Sequence, residues 1–247
     1  DPHEYEPLPE DIKKATDADV LFINGMNLEG GKEGWFYKMV DSVNQDLDHV
    51  FELNEGVEPK YIGKESGVEE EVNPHSFLDP QVGIKMAENL RDALMKIDPD
   101  NKSIYEENAE KYLGELKDMD AQYKEKIGEI SEVDRILVTS ERAFQYMTER
   151  YGLEEAYVWE IDTEELGTPE QIKSLVDTLK EKQPPVLFLE SNVDPRPLET
   201  VSSESGIDIY EEHIYSDEIG QKGDPVDTYI KLLQHNIDII YDGLKRN

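Results

Sequence analysis

At 247 residues and without cysteine, the chain is long enough for one large domain or two small ones, and it holds no disulfide, thiolate metal site or cysteine nucleophile. Its 58 Asp and Glu against 25 Lys and Arg leave a formal charge of −33, which repels phosphate backbones and excludes nucleic acid as a partner. Hydrophobic residues at 37% describe a globular composition, and no run of about 18 apolar residues is present to span a bilayer.

In chain order, the N-terminus reads Asp1-Pro2-His3-Glu4-Tyr5-Glu6-Pro7, the start of a processed or truncated chain, with no signal peptide. Asp19 to Asn24 is rich in apolar and β-branched residues and reads as a strand; Gly34 to Val43 fits a helix. A short acidic loop spans Glu65 to Glu71. A second Pro-His turn, Asn73-Pro74-His75-Ser76-Phe77-Leu78-Asp79-Pro80, precedes a helix over Gln81 to Lys96. From Asn101 to about Ile127, Tyr105, Ala109, Tyr112, Leu116, Met119, Tyr123 and Ile127 recur at spacings of three and four, as one helix face requires. Such a helix is roughly 40 Å long, more suited to a connector between two lobes than to packing beside one sheet.

Beyond a boundary near Gly128, strands and helices alternate. Arg135 to Thr139 is a strand, Arg142 to Tyr151 a helix, Tyr157 to Trp159 a short strand. Pro169 to Glu181 is a helix with Thr168 as N-cap, Pro169 at the first helical position and Gln171 at capping-box distance. Val186 to Leu189 is a strand, Arg196 to Ser205 a helix, Ile207 to Tyr215 a longer strand, and Pro225 to Leu244 a helix. The alternation argues parallel sheets of the doubly wound kind.

Five histidines occur in the chain. In both Pro-His turns the proline holds the backbone ahead of the ring and gives it a fixed exit; His3 and His75 are candidate ligands, although a packed loop histidine has the same local sequence. Ligands in open α/β sheets bind outside the carboxyl ends of strands. Glu141, placed by the pattern at the opening of the Arg142 helix, and Asp217, just past the strand ending at Tyr215-Ser216, stand at such ends. A carboxylate there also serves as a simple cap or dipole partner. His213 lies four residues before Asp217, on the same face of an alternating strand. Nothing in one sequence shows that these residues meet.

Five stretches in order, D-P-H-E-Y-E-P at 1–7, D-A-D-V-L-F-I-N-G-M-N-L-E at 17–29, N-P-H-S-F-L-D at 73–79, T-S-E-R-A-F-Q-Y-M at 139–147 and S-D-E-I-G at 216–220, resemble the metal-binding substrate-binding lipoproteins of bacterial ABC importers, and within them the manganese-type members of Gram-positive bacteria. The resemblance runs from Asp1 to the C-terminus. It implies an α/β fold of two βα lobes with parallel sheets, residues 1–100 and 129–247, joined by one long backbone helix at 101–128, with a metal site in the cleft between them. It carries the family's four ligands onto His3, His75, Glu141 and Asp217. Two imidazoles and two carboxylates suit Mn²⁺ or Fe²⁺ and admit Zn²⁺. Zinc-type relatives place a histidine at the position of Glu141 and a histidine-rich loop before the second ligand; Ile62 to Val72 has no histidine, which favours manganese.

The resemblance also implies a monomeric, non-enzymatic protein on the extracytoplasmic face of the cell membrane of a Gram-positive bacterium. It would be anchored through an N-terminal lipid that lies outside this sequence, and it would hand its ion to an ABC permease. Such lipoproteins are also assigned roles in cell adhesion. A metal-dependent hydrolase finds no H-E-x-x-H, G-x-S-x-G or Gly-rich phosphate loop to support it. The chain departs from the family pattern at Asn73, usually Asp, at Phe77, often Trp, and at Glu218, usually Ser. Relatives carry about one further strand–helix–strand unit, on the order of 30–40 residues, ahead of the first Pro-His.

Overall fold

The computed structural model describes residues 2–62, 71–160 and 167–245. In the first half of the chain, helix α1 (Pro9–Asp17) leads into strand β1 (Leu21–Ile23), helix α2 (Trp35–Ser42) and strand β2 (Val50–Glu52), and β1 and β2 pair in parallel. Strands β3 (Tyr61–Ile62) and β4 (Glu71–Val72) form a small antiparallel pair. A one-turn 3₁₀ helix, His75–Leu78, then opens into helix α3 (Pro80–Ile97), whose start is set by Asp79 accepting from the Gln81 amide at 2.9 Å and by Pro80 in the first turn.

Helix α4 runs for 28 residues, Lys102–Glu129, without a break. Its buried stripe is Leu113, Leu116, Met119, Tyr123 and Ile127, so the expected face holds over the C-terminal half. Toward the N-terminal end Leu113 turns inward in place of Tyr112, which is exposed. Arg135 ends the helix by donating to the carbonyls of Ile130 and Gly128, both at 3.0 Å. Along its length α4 packs on α3 and on helix α8 (Tyr229–Leu244), and this contact, with Phe144, Met147, Phe188, Ile237 and Ile240, forms the largest apolar core.

Strand β5 (Ile136–Glu141) is buried at every residue, as a central parallel strand is, and pairs with β6 (Glu154–Trp159). Helix α5 (Gln145–Tyr151) lies between them, and helices α6 (Pro169–Lys182) and α7 (Arg196–Ser205) cover the sheet through a second apolar cluster that includes Val138, Val158, Leu179, Leu187, Leu198 and Val201. The capping box at Thr168 and Gln171 is present, as the sequence predicts.

Several predicted elements shift, and the strand predicted over Val186 to Leu189 is reduced to an isolated bridge at Leu187. Helix α5 begins at Gln145 rather than Arg142, because the Arg142 amide still follows the ladder, donating to the Trp159 carbonyl at 3.1 Å. Ile207 to Tyr215 is not one continuous strand; it meets the 187–190 segment at two parallel bridges, Leu187 with Ile209 and Glu190 with Ile214, and between them the exposed Glu211 and Glu212 bend toward water. Helix α8 starts at Tyr229, where Thr228 caps it. Helix α1 and strand β2 have no counterpart among the predicted elements. The acidic loop predicted over Glu65 to Glu71 lies, but for its last residue, outside the described residues.

The two halves of the chain are also joined beside α4. Gly83 of α3 faces Tyr229 of α8 so closely that a Cβ there would sit 2.4 Å from the phenol oxygen, and that oxygen donates to the Phe77 carbonyl at 2.5 Å. Buried Asp79 pairs with Arg150 of α5. Because the Tyr229 hydroxyl is held, Gly83→Ala has no inexpensive relaxation and is expected to cost about 1–3 kcal/mol. Urea denaturation checks this, with Gly114→Ala, where a Cβ meets nothing within 4 Å, as the control.

Candidate metal centre

Two imidazoles and a carboxylate from sequence-distant segments converge, and a second carboxylate stands against one of the imidazoles. His75 sits at the first position of the 3₁₀ turn, fully buried. Its Nε2 is 2.9 Å from Asp217 Oδ1 and 3.6 Å from Glu141 Oε1. His3 approaches from the segment ahead of α1, its Nε2 3.5 Å from the same Asp217 oxygen. The two imidazoles meet edge to face, with ring centroids 5.3 Å apart. Donor atoms of His3, His75 and Asp217 lie within 4.8 Å of one another, the spacing of groups able to share one cation; Glu141 joins them through His75.

Each of these residues is fixed from behind. The His3 segment is held by the Trp35 indole, which donates to the Pro2 carbonyl at 2.8 Å, and by the edge contact of Tyr5 with Trp35. Asn73 Oδ1 stands 2.9 Å from His75 Nδ1 and accepts from the His75 amide at 3.1 Å. Glu141 is the last residue of β5, not the first of a helix, and its amide donates to Glu190 Oε1 at 2.8 Å, with the Ser140 amide on Oε2 at 3.1 Å. Asp217 follows the Ile214 bridge. Asn192 donates to its Oδ2 at 2.7 Å and Ser216 Oγ lies 2.9 Å from that oxygen, so that Oδ1 is turned toward the imidazoles.

The electrostatics follow from burial. Desolvation alone would raise the Asp217 carboxyl, but hydrogen bonds and charge from His3 and His75 outweigh it and hold the group well below the usual carboxylate range. Glu190, wholly buried, is pushed up to about 7 by desolvation, against the two backbone amides that favour its ionised form.

Thus His3, His75, Glu141 and Asp217 are brought together, whereas His213 is not: it is exposed, and its carbonyl takes a hydrogen bond from His235 Nε2 at 2.8 Å. Glu218 is exposed and turned to solvent. Asn192, Glu190 and the role of Asn73 are absent from the predicted site; the polar run directly after an apolar one, Leu189-Glu190-Ser191-Asn192, is the signal the sequence offers for the first two.

The architecture is that of periplasmic metal-binding proteins. The periplasmic zinc-binding protein TroA from Treponema pallidum superposes with a TM-score of 0.86 at 23% identity, covering 100% of this chain and 88% of that one. A Mn-bound periplasmic metal-binding protein from Candidatus Liberibacter asiaticus superposes with a TM-score of 0.84 at 24% identity, covering 99% and 87%. In sequence, the iron ABC transporter substrate-binding lipoprotein MtsA of Streptococcus pyogenes serotype M1 is 44% identical over 100% of this chain and 79% of its own length. The manganese ABC transporter substrate-binding lipoprotein PsaA of Streptococcus mitis is equally similar, at 44% with the same coverage. The family described as zinc-uptake complex component A, periplasmic, matches residues 1–243, and the chain belongs to this family of metal ABC transporter substrate-binding proteins.

A depressed carboxyl contributes stability that is fully present above its unfolded value, near 3.8, and is lost as pH falls through the lower folded value. In chelator-treated protein, Asp217→Asn is therefore expected to cost about 1.5–3 kcal/mol at pH 5. The gap to the unsubstituted protein, followed in urea titrations, should close only below pH 3.8.

Proposed function

We propose that this chain is the extracytoplasmic binding component of an ABC importer, taking up Mn²⁺ between His3, His75, Glu141 and Asp217 and passing it to a membrane permease. In this reading residues 1–100 and 129–247 act as two lobes on a connecting helix at 101–128, and the protein is a monomeric carrier rather than an enzyme. One observation carries it: Nε2 of His3 and Nε2 of His75 meet a single carboxylate oxygen of Asp217, and Glu141 Oε1 lies 3.6 Å from the same His75 nitrogen. Four nitrogen and oxygen donors without sulfur suit Mn²⁺ and Fe²⁺ and also bind Zn²⁺. The relatives' names span the same range, manganese in Streptococcus mitis and iron in Streptococcus pyogenes. A glutamate at 141 and no histidine from Ile62 to Val72 favour manganese.

A second reading, zinc, is favoured by the Asp217 carboxylate. With Oδ2 held by Asn192 and Ser216, this residue turns one oxygen toward the imidazoles, and one oxygen from each carboxylate completes a four-coordinate site of the kind Zn²⁺ accepts. Along the first-row series Zn²⁺ also binds a given N/O site more tightly than Mn²⁺. Affinity in vitro is therefore expected to rank Zn²⁺ at or above Mn²⁺, while the ion carried by protein isolated without added metal identifies the cargo.

His75→Ala and Glu141→Ala should each lower Mn²⁺ affinity more than about a hundredfold in calorimetry, since ligand loss exceeds the 10–100-fold typical of outer partners. Both variants should also lose the rise in melting temperature that saturating metal gives the unsubstituted protein. Unchanged affinity in both would remove the site. Elemental analysis finding zinc alone, with manganese present in the medium, would select the second reading.

A further inference from the structure

Asn73 is wholly buried and every polar atom of its side chain is engaged. Two of its partners are backbone groups whose roles admit no choice. The His75 amide can only donate, so the atom it meets at 3.1 Å is the amide oxygen Oδ1. The Arg142 carbonyl can only accept, so the atom 2.8 Å from it is Nδ2. With the side-chain amide oriented this way, the His75 ring nitrogen 2.9 Å from Oδ1 faces an acceptor and must carry a proton, which assigns Nδ1–H and leaves Nε2 as the nitrogen directed at Asp217 and Glu141.

The same amide reaches the other half of the chain. Nδ2 donates to Arg142 O, the residue directly after Glu141, and to Gln145 Oε1 at 3.1 Å. The Asn73 carbonyl accepts from Tyr146 at 2.8 Å, while its amide nitrogen donates to the Lys60 carbonyl, also at 2.8 Å. One buried residue thus touches both the ring of His75 and the turn that follows Glu141. A carboxylate at this position would set an anionic oxygen against the Arg142 carbonyl, which cannot turn away; the neutral amide, with one acceptor and two donor hydrogens, matches all four partners.

We infer that Asn73 is a positioning residue: its amide commits the His75 ring to presenting Nε2 to a bound ion and ties that ring to the strand end that carries Glu141. The inference rests on His75 facing the metal, as proposed above. It makes the amide, rather than a carboxylate, the suitable outer partner in this chain. A carboxylate ordinarily strengthens a metal-bound imidazole, so the effect of Asn73→Asp has opposite signs under the two views.

The test combines imidazole ¹H–¹⁵N long-range correlation spectra with Zn²⁺ calorimetry, Zn²⁺ serving as the diamagnetic probe, on the full chain and on N73D, N73A and H75A. H75A assigns the ring signals. In the unsubstituted protein the Nδ1 proton should exchange slowly with and without Zn²⁺, and Zn²⁺ should shift Nε2 alone. N73D is expected to bind Zn²⁺ about 10–100-fold more weakly. N73A, which removes the amide without burying a carboxylate, should lose the slow exchange at Nδ1 and weaken binding similarly. A merely structural role would lower the melting temperature and leave the ring spectrum unmoved. Tighter or equal Zn²⁺ binding by N73D, Zn²⁺ on Nδ1, or unaltered Nδ1–H exchange in N73A would each overturn the inference. Full Zn²⁺ binding by H75A would instead remove the site reading, and the metal-free spectra would still decide whether Asn73 fixes the Nδ1 proton.

Discussion

A nearly buried carboxylate facing two imidazoles is the costly element of this structure. Moving an ionised group out of water is expensive unless its partners are close and well aligned. For Asp217 those partners are His3 and His75 on one oxygen and Asn192 and Ser216 on the other. Every one of them comes from a different segment or turn, so the arrangement exists only if the segments are delivered with little freedom. The stiff helix α4, the buried strand β5 and the tight turn after Pro74 supply that restraint, and each also belongs to an apolar core or abuts one.

The charge of the whole chain plays a different part. A formal −33 raises the local concentration of all cations and does not distinguish among them. In the proposed site, discrimination falls to the donors: two nitrogens, oxygens of two carboxylates, and the constraint that Asn192 places on one of those carboxylates. Near the site the polar groups behind the donors are predominantly neutral amides and a hydroxyl, namely Asn73, Asn192 and Ser216. The exception is Glu190, which is hydrogen-bonded to the backbone at Glu141 and whose carboxyl is raised to about 7.

Long periodic segments were legible in the sequence because their signal is repeated: the stripe from Leu116 to Ile127 and the helix Arg196–Ser205 recur in the fold nearly residue for residue. Helix α1 was not, since Ala15 is its one buried residue and, apart from Pro9 and Ile12, the rest is polar. Strand β2 spans three residues, too few for alternation to register. The four convergent side chains were identified through ordered motifs of a known family rather than through spacing, and local sequence misplaced Glu141 at a helix start because it does not reveal that Arg142 still pairs with Trp159. The groups behind the donors were least legible. Asn73 and Asn192 look like loop residues until tertiary contacts supply their partners.

Chain order and mechanical order differ in this molecule. His75 precedes α4, yet the residues around it are stitched to segments that follow it: Asn73 to Arg142, Gln145 and Tyr146, Phe77 to Tyr229, and Asp79 to Arg150. Breaking any one of these buried bonds costs on the order of 1–3 kcal/mol, so the segment that carries His75 is held firmly against the turn that follows Glu141. His3 is carried differently, on a segment tied to Trp35 and resting on the small apolar cluster of Ala15, Ile23, Phe36, Met39 and Val40. The two imidazoles are therefore secured from opposite sides of α4 in the chain, His3 by residues that precede the helix and His75 largely by residues that follow it.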